Sequence, residues 1–184
     1  MAFSRNQEVF GEGEPAEYLY KVKSGYIRTY HTRHDGRRQI AAFYLPGDVF
    51  GLEARDVHSV SADAITRSRV CTVKRTELAD RAAGNAAMIG RLLDLTAAEL
   101  QRTQRHILLL AESAEGRVIG FLLDLAQREH NPIEIELPMT RQDIADYLGL
   151  TVETVSRTLT RLERTAAISL PSSRRVILHD PLAH

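Results

Sequence analysis

The sequence has one cysteine, Cys71, and no tryptophan. One thiol excludes an intrachain disulfide framework, and within these residues it excludes a four-thiolate iron–sulfur cluster. No run of about eighteen apolar residues occurs, so no membrane-spanning helix is expected. The N-terminus lacks the basic-then-apolar pattern of a secretory leader. These absences together lead us to expect a cytoplasmic protein. An excess of one charge is also missing: 24 Lys and Arg balance 24 Asp and Glu. From residue 131 onward, six Arg stand against seven Asp or Glu, so any nucleic-acid-binding face must be basic only locally. No G-x-G-x-x-G, P-loop, G-x-S-x-G, H-E-x-x-H or C-x-x-C spacing is present. We therefore expect no catalytic residue, metal-ligand set or cofactor. What is there is 184 residues with 43% apolar content, enough for one or two compact units.

Up to residue 76 the chain alternates short β-like runs with turn signals. Tyr18 to Val22 precedes Ser24-Gly25, Tyr26 to Tyr30 precedes Asp35-Gly36, and Gln39 to Leu45 precedes Pro46-Gly47-Asp48. Strands at such spacing predict an antiparallel barrel or sandwich. Residues 77 to 111 change character and predict one long helix. Ile89, Leu93, Thr96, Leu100, Thr103, Ile107 and Leu110 recur at spacings alternating between four and three. That narrow a/d stripe is the seam of a two-helix coiled coil and predicts a homodimer. The alternative is a helix covered within its own subunit, with Leu92, Leu95 and Leu109 packing on the β-domain.

After Ser113 an apolar-faced helix is expected over 115 to 128, then a strand between Pro132 and Pro138. Residues 140 to 164 read as two short helices around a tight turn. Ile144, Ala145 and Leu148 share one face of the first, Gly149 ends it, and Thr151 caps the second. Val155, Leu159 and Leu162 point inward, leaving Glu153, Ser156, Arg157 and Thr160 outside. This is a helix-turn-helix layout, with an ordinary αα-hairpin as the alternative. Two short strands around Pro171 to Arg175 would form a wing, or else a solvated hairpin. The fold class expected is α+β: a β-roll over 1–76, a long dimerisation helix over 77–112, and a winged helix-turn-helix over 113–184.

The outward residues suit base reading. The Arg157 guanidinium is a planar fork matching O6 and N7 of guanine in the major groove. Glu153 is suited to accept from a cytosine amino group and to orient Arg157 one turn away. Ser156 is short enough to approach a base edge. The alternative is a surface Glu153–Arg157 salt bridge. Thr140, Arg141, Gln142, Thr151 and Thr154 lie at helix starts, where donors hold phosphates. Ser172 and Arg174 in the wing turn are assigned the same role. Double-stranded DNA is thus the expected partner.

The segments GEGEPAEYLYKVKSGYIRTY, RRQIAAFYLPGDVFGLEA and LPMTRQDIADYLGLTVETVSRTLTRLE resemble, in order, the β-roll and DNA-binding region of the CRP/FNR superfamily of bacterial regulators, and its FixK-like branch. Glu153 to Arg157 matches that branch's E-x-x-S-R motif. The resemblance implies that Thr140, Arg141, Gln142, Thr151 and Thr154 contact phosphates and that the long helix is the dimer axis. It also implies that RNA polymerase is a partner. Val152 stands where the cyclic-AMP-receptor branch has a second reading Arg. That implies a TTGAT–N4–ATCAA inverted repeat, and activation of anaerobic, microaerobic or nitrogen-metabolism genes without an iron–sulfur cluster. Gly47-Asp48 is taken to stand where the cyclic-nucleotide binders have Gly-Glu, and His58-Ser59 where they have Arg-Ser or Arg-Thr, so that ligand is not expected. Two alternatives stay open. The β-roll could respond to haem, through His58, or to another small molecule. A cupin-like metal enzyme could instead use His31 and His34. Cys71, in an apolar strand, reads as a buried structural thiol, with a redox switch as the alternative.

Overall fold

The computed structural model describes residues 1–129, 131 and 133–179. The N-terminal strands are β1 (Ala2–Phe3), β2 (Glu8–Phe10), β3 (Tyr18–Ser24), β4 (Ile27–Thr32), β5 (Arg38–Tyr44), β6 (Val49–Phe50), β7 (Ser61–Ala64) and β8 (Ser68–Lys74). They form two four-stranded antiparallel sheets, ordered β1-β8-β3-β6 and β2-β7-β4-β5. Period-two alternation builds the core between them: along β3, Tyr20 and Val22 are buried while Lys21 and Lys23 are exposed. Phe3, Phe10, Ile27, Phe50 and Val70 complete the apolar interior. One ion pair is buried there. Arg28 on β4 lies opposite Asp63 on β7, and its Nε and Nη2 donate to the two carboxylate oxygens at 2.7 and 2.8 Å. This fork-on-carboxylate geometry satisfies both charges, the condition under which a buried pair is tolerated.

The helical run over 77–111 is two helices, not one. α1 (Arg75–Ala82) stops before Gly84, whose φ of 74° lies in the left-handed region, and α2 (Ala86–Leu110) begins beyond it. No residue of the 25-residue α2 is buried. Then follow α3 (Ala114–Glu129), β9 (Glu134–Glu136), α4 (Arg141–Leu148), α5 (Val152–Arg164), β10 (Ile168–Ser172) and β11 (Arg175–Leu178). Ser113 accepts from the Gly116 amide, as an N-cap does. The last three strands make a sheet in the order β10-β11-β9. Contacts divide the chain into two compact units, Met1–Arg105 and His106–His184. The core of the second is built by Val118, Phe121, Leu122 and Leu125 of α3 with Ile144, Leu148, Val155 and Leu159.

Gly25 is required twice over, by its φ of 79° and by close approach. A Cβ there would lie 2.3 Å from Ser68 Oγ and 2.5 Å from the Arg67 carbonyl oxygen. Gly36 has the same φ with nothing within 4 Å. Gly36→Ala is therefore expected to cost roughly 1–2 kcal/mol for the left-handed backbone alone. Gly25→Ala should cost roughly 2–5 kcal/mol, because overpacking against backbone is added. Urea unfolding of both variants checks the difference; equal costs would mean that the Ser68 contact does not constrain the β-roll.

Candidate nucleic-acid interface

α4 and α5 are set by paired caps. The Thr140 hydroxyl accepts from the Asp143 amide at 3.1 Å, and the Asp143 carboxylate accepts from the Thr140 amide at 2.9 Å, a complete capping box. Gly149 ends α4 at φ 63°, ψ 36°, where any other residue would carry the left-handed cost. Thr151 then caps α5, accepting from the Thr154 amide at 3.2 Å. Arg117, on α3, ties this turn down: its Nη1 donates to the Leu148 carbonyl at 3.0 Å and its Nε to the Glu112 carbonyl at 3.0 Å. Nothing in local periodicity marks Arg117 for this task.

On α5, Val155, Thr158, Leu159 and Leu162 are buried, and Glu153, Ser156, Arg157 and Thr160 are exposed. The three expected base readers thus share one open face. No Glu153–Arg157 ion pair is formed, and among the described residues no hydrogen bond or ion pair holds either side chain. Arg161 is paired with Glu115 of α3, while Glu163 accepts from the Leu170 amide at 3.2 Å. Among the described residues, Arg157 and Arg164 are left as the cations of the helix without such a partner.

The expected phosphate contacts differ in readiness. Thr140 and Thr151 spend their hydroxyls on capping, and Thr154 shares a hydrogen bond with Thr151 at 3.0 Å. Gln142 donates to Asp146 at 2.7 Å. Arg141 is half-buried, and its Nη1 is shut off from water with no hydrogen-bond partner among the described residues. Desolvation lowers its pKa from the ordinary guanidinium value. In the wing, Ser172 Oγ accepts from the Arg174 amide at 3.3 Å, Arg174 is exposed, and Arg175 pairs with Glu134.

The stripe on α2 is uncovered. Ile89, Leu93, Leu100 and Ile107 are 46%, 64%, 57% and 61% exposed, and Leu110 is half-buried. The two threonines of the stripe satisfy their own hydroxyls: Thr96 donates to the Leu92 carbonyl at 2.9 Å and Thr103 to the Glu99 carbonyl at 3.0 Å. This removes much of the penalty of placing them in an apolar seam. Leu92 is half-buried, Leu95 is 37% exposed, and Leu109 lies against Gly120 of α3.

His58, which the sequence puts at the phosphate-binding position of the cyclic-nucleotide binders, lies in the interior of the β-roll. His58 is 2% exposed and lies face to face with Phe10, ring centroids 3.6 Å apart. Among the described residues neither ring nitrogen has a hydrogen-bond partner. Glu53 is nearest, at 3.6 Å from Nδ1, beyond hydrogen-bond reach. Desolvation outweighs its pull and holds the His58 pKa below the ordinary value. A neutral ring stacked in an aromatic cluster has no charge to offer a phosphate. Asp48 is not the carboxylate near His58, contrary to the alignment expected from sequence. It accepts from the Leu45 amide at 2.7 Å in the β5–β6 turn. Glu53 occupies the site instead, held by Ser59. Arg75 fixes that loop by donating to the Ala16, Glu53 and Arg55 carbonyls. His31 bonds Glu12 at 2.8 Å on the surface. Cys71 is exposed, not buried as its apolar strand suggests, because it falls on the outer face of β8.

Comparison with known proteins agrees with this geometry. Residues 116–183 match the Crp-like helix-turn-helix domain and residues 1–85 the cyclic nucleotide-binding domain. The nitrogen fixation regulation protein FixK of Azorhizobium caulinodans is 51% identical over 97% of this chain and 74% of its own length. FixK of Rhizobium meliloti is 37% identical over 98% of this chain and 83% of its own. The solved structure of FixK2 from Bradyrhizobium japonicum superposes with a TM-score of 0.94 at 42% identity, covering all of this chain and 94% of that one.

His106 supplies a pH dependence that sequence reading missed. Its ring stacks on Tyr147 of α4 at 4.0 Å, with Nδ1 buried and without a hydrogen-bond partner among the described residues. Desolvation lowers its pKa, opposed by Asp124 of α3. The unfolded chain, with an imidazole near about 6.5, therefore takes up the proton first. The stability contributed by neutral His106 is present above that value and is lost as pH falls through the lower folded value. The melting temperature should drop between pH 7.5 and 5.5. His106→Phe, which keeps a ring against Tyr147, should make that slope shallower. An unchanged slope would show that His106 does not titrate on unfolding.

Proposed function

The chain belongs to the CRP/FNR family of DNA-binding transcription regulators, as a FixK-like member, and we propose that it binds a TTGAT–N4–ATCAA-type inverted repeat as a homodimer. The observation that carries this reading is the open, unpaired face of α5, where Glu153, Ser156 and Arg157 stand over the buried row Val155, Leu159 and Leu162. The second subunit is supported by the uncovered apolar stripe of α2. Two reading helices related by a two-fold axis reach successive major grooves about 34 Å apart. Arg157 reads a guanine and Glu153 its surroundings, while Arg141, Thr140, Gln142, Thr151, Thr154, Ser172 and Arg174 hold phosphates. The apolar Val152 suits a thymine methyl. Membership of a regulator family sets aside the cupin-like enzyme.

The regulator works in the cytoplasm with RNA polymerase and activates nitrogen-metabolism or low-oxygen genes. Support comes from the FixK relatives, whose name is nitrogen fixation regulation protein. It acts without an iron–sulfur cluster, a reading supported by the single Cys71, and without haem or cyclic nucleotide, a reading supported by the sealed His58.

The test separates readers from holders. Arg157→Ala should cost about 1–3 kcal/mol per lost guanine contact and relax discrimination at that base pair. Arg141→Ala should weaken binding to all sequences alike and reduce the salt slope by about one, since a phosphate contact releases counterions without reading sequence. Both are measured on the inverted repeat and on a half-site-substituted duplex at two salt concentrations, with no nucleotide added. Equal loss on both duplexes for Arg157→Ala would make Arg157 a phosphate holder and overturn the assignment of α5.

A further inference from the structure

α2 lies against the β-roll with no buried residue, yet one of its charged side chains is enclosed. Arg102 keeps only 13% of its side-chain surface. Its guanidinium carbon sits 4.4 Å from the centroid of the Tyr44 ring, a cation–π distance. Asp48 of the β5–β6 turn lies 3.7 Å from Nη1, and Glu99, one turn back along α2, pairs with Nη2. Tyr44 is 6% exposed and is held in turn, its hydroxyl donating to Glu99 at 3.4 Å. Burial pushes that hydroxyl's pKa up to about 12, so it stays a donor. A cation, a ring and two carboxylates from β5, the following turn and α2 therefore close on one point.

The place of that point on the helix matters. At about 100° per residue, Arg102 lies about 200° around α2 from Leu100. Fastening the Arg102 side to the β-roll leaves Ile89, Leu93 and Leu100 facing away. A helix held only by exposed and half-buried residues could roll about its axis, and a roll of one residue's arc would replace the leucines of the outward face with Asp94 and Gln101. The clamp forbids the roll, because the guanidinium must stay over the ring and between the carboxylates.

We propose that Arg102 is a positioning residue that sets the rotation of α2 on the β-roll, through Tyr44, Asp48 and Glu99, so that the apolar stripe is presented to a second copy of the chain with no ligand bound. This rests on the homodimer proposed above. The ligand-independent setting is built from side chains of the protein itself.

Cys71, the only cysteine and exposed on β8, gives a unique spin-label site on each β-roll. Pulsed electron–electron distance measurements on the labelled full chain read the separation of the two β-rolls. Wild type should give one narrow distance distribution without added nucleotide. Arg102→Met keeps the aliphatic stem but loses the cation. It should stay dimeric by sedimentation at micromolar concentration, broaden the distribution and weaken binding to the inverted repeat at least tenfold. Arg102→Lys should recover much of both, and Tyr44→Phe, which keeps the ring, should resemble wild type. A narrow, unshifted distribution in Arg102→Met with binding within twofold of wild type would overturn the inference. So would a monomeric Arg102→Met, since the residue would then support association itself and not its geometry. A wild-type chain with no dipolar signal between copies would instead overturn the dimer, and this inference with it.

Discussion

The uncovered apolar stripe of α2 is the constraint on which the rest depends. A helix of 25 residues with none buried is not held by its own domain in the way most helices are, since helical stability in proteins comes chiefly from tertiary packing of an apolar face. Burying one Leu or Ile side chain contributes about 1.5–3 kcal/mol. Ile89, Leu93, Leu100 and Ile107 leave that stabilisation unrealised in the single chain. In the proposed dimer the same residues bring two reading helices into one assembly. An inverted-repeat site, a symmetric protein and an exposed seam are three aspects of one requirement.

The interior of the β-roll is built from side chains that engage one another. In place of a charged pocket it holds an aromatic cluster around a neutral His58, a loop laced down by Arg75 and a buried Arg28–Asp63 pair. The contact made at the surface of α2, Arg102 on Tyr44, is internal to the chain.

Much of this was legible because periodicity is a local property. The Gly149 stop, the Thr151 cap and the inward row of α5 are each written within a few residues, and the structure places them as their spacing implies, while the four-and-three stripe lies on a helix with no buried residue. What was hidden depends on residues distant in sequence. Arg117 reaches 31 positions to cap α4, and Arg102 meets Tyr44 and Asp48 across the β-roll. No pattern encodes such pairings. Gly84 breaks the long helix because its left-handed φ outweighs the surrounding helix formers. Asp48 misled because a carboxylate after a Gly in a turn has a local task, accepting from Leu45, that motif matching does not weigh. The exposure of Cys71 followed from which face of β8 it falls on, and an apolar-looking strand does not specify that face.

The central claim is that the α2 stripe makes the dimer and the dimer makes the DNA-binding site. Leu100→Asp places a charge in the seam, where desolvation is costly, and leaves the helix-turn-helix untouched. Sedimentation equilibrium with and without the inverted-repeat duplex measures both halves of the claim. The account predicts a monomer at micromolar concentration that no longer binds the full site as two copies, with circular dichroism like wild type. A Leu100→Asp protein that remains dimeric, or a monomer that binds the full repeat with undiminished affinity, would contradict it.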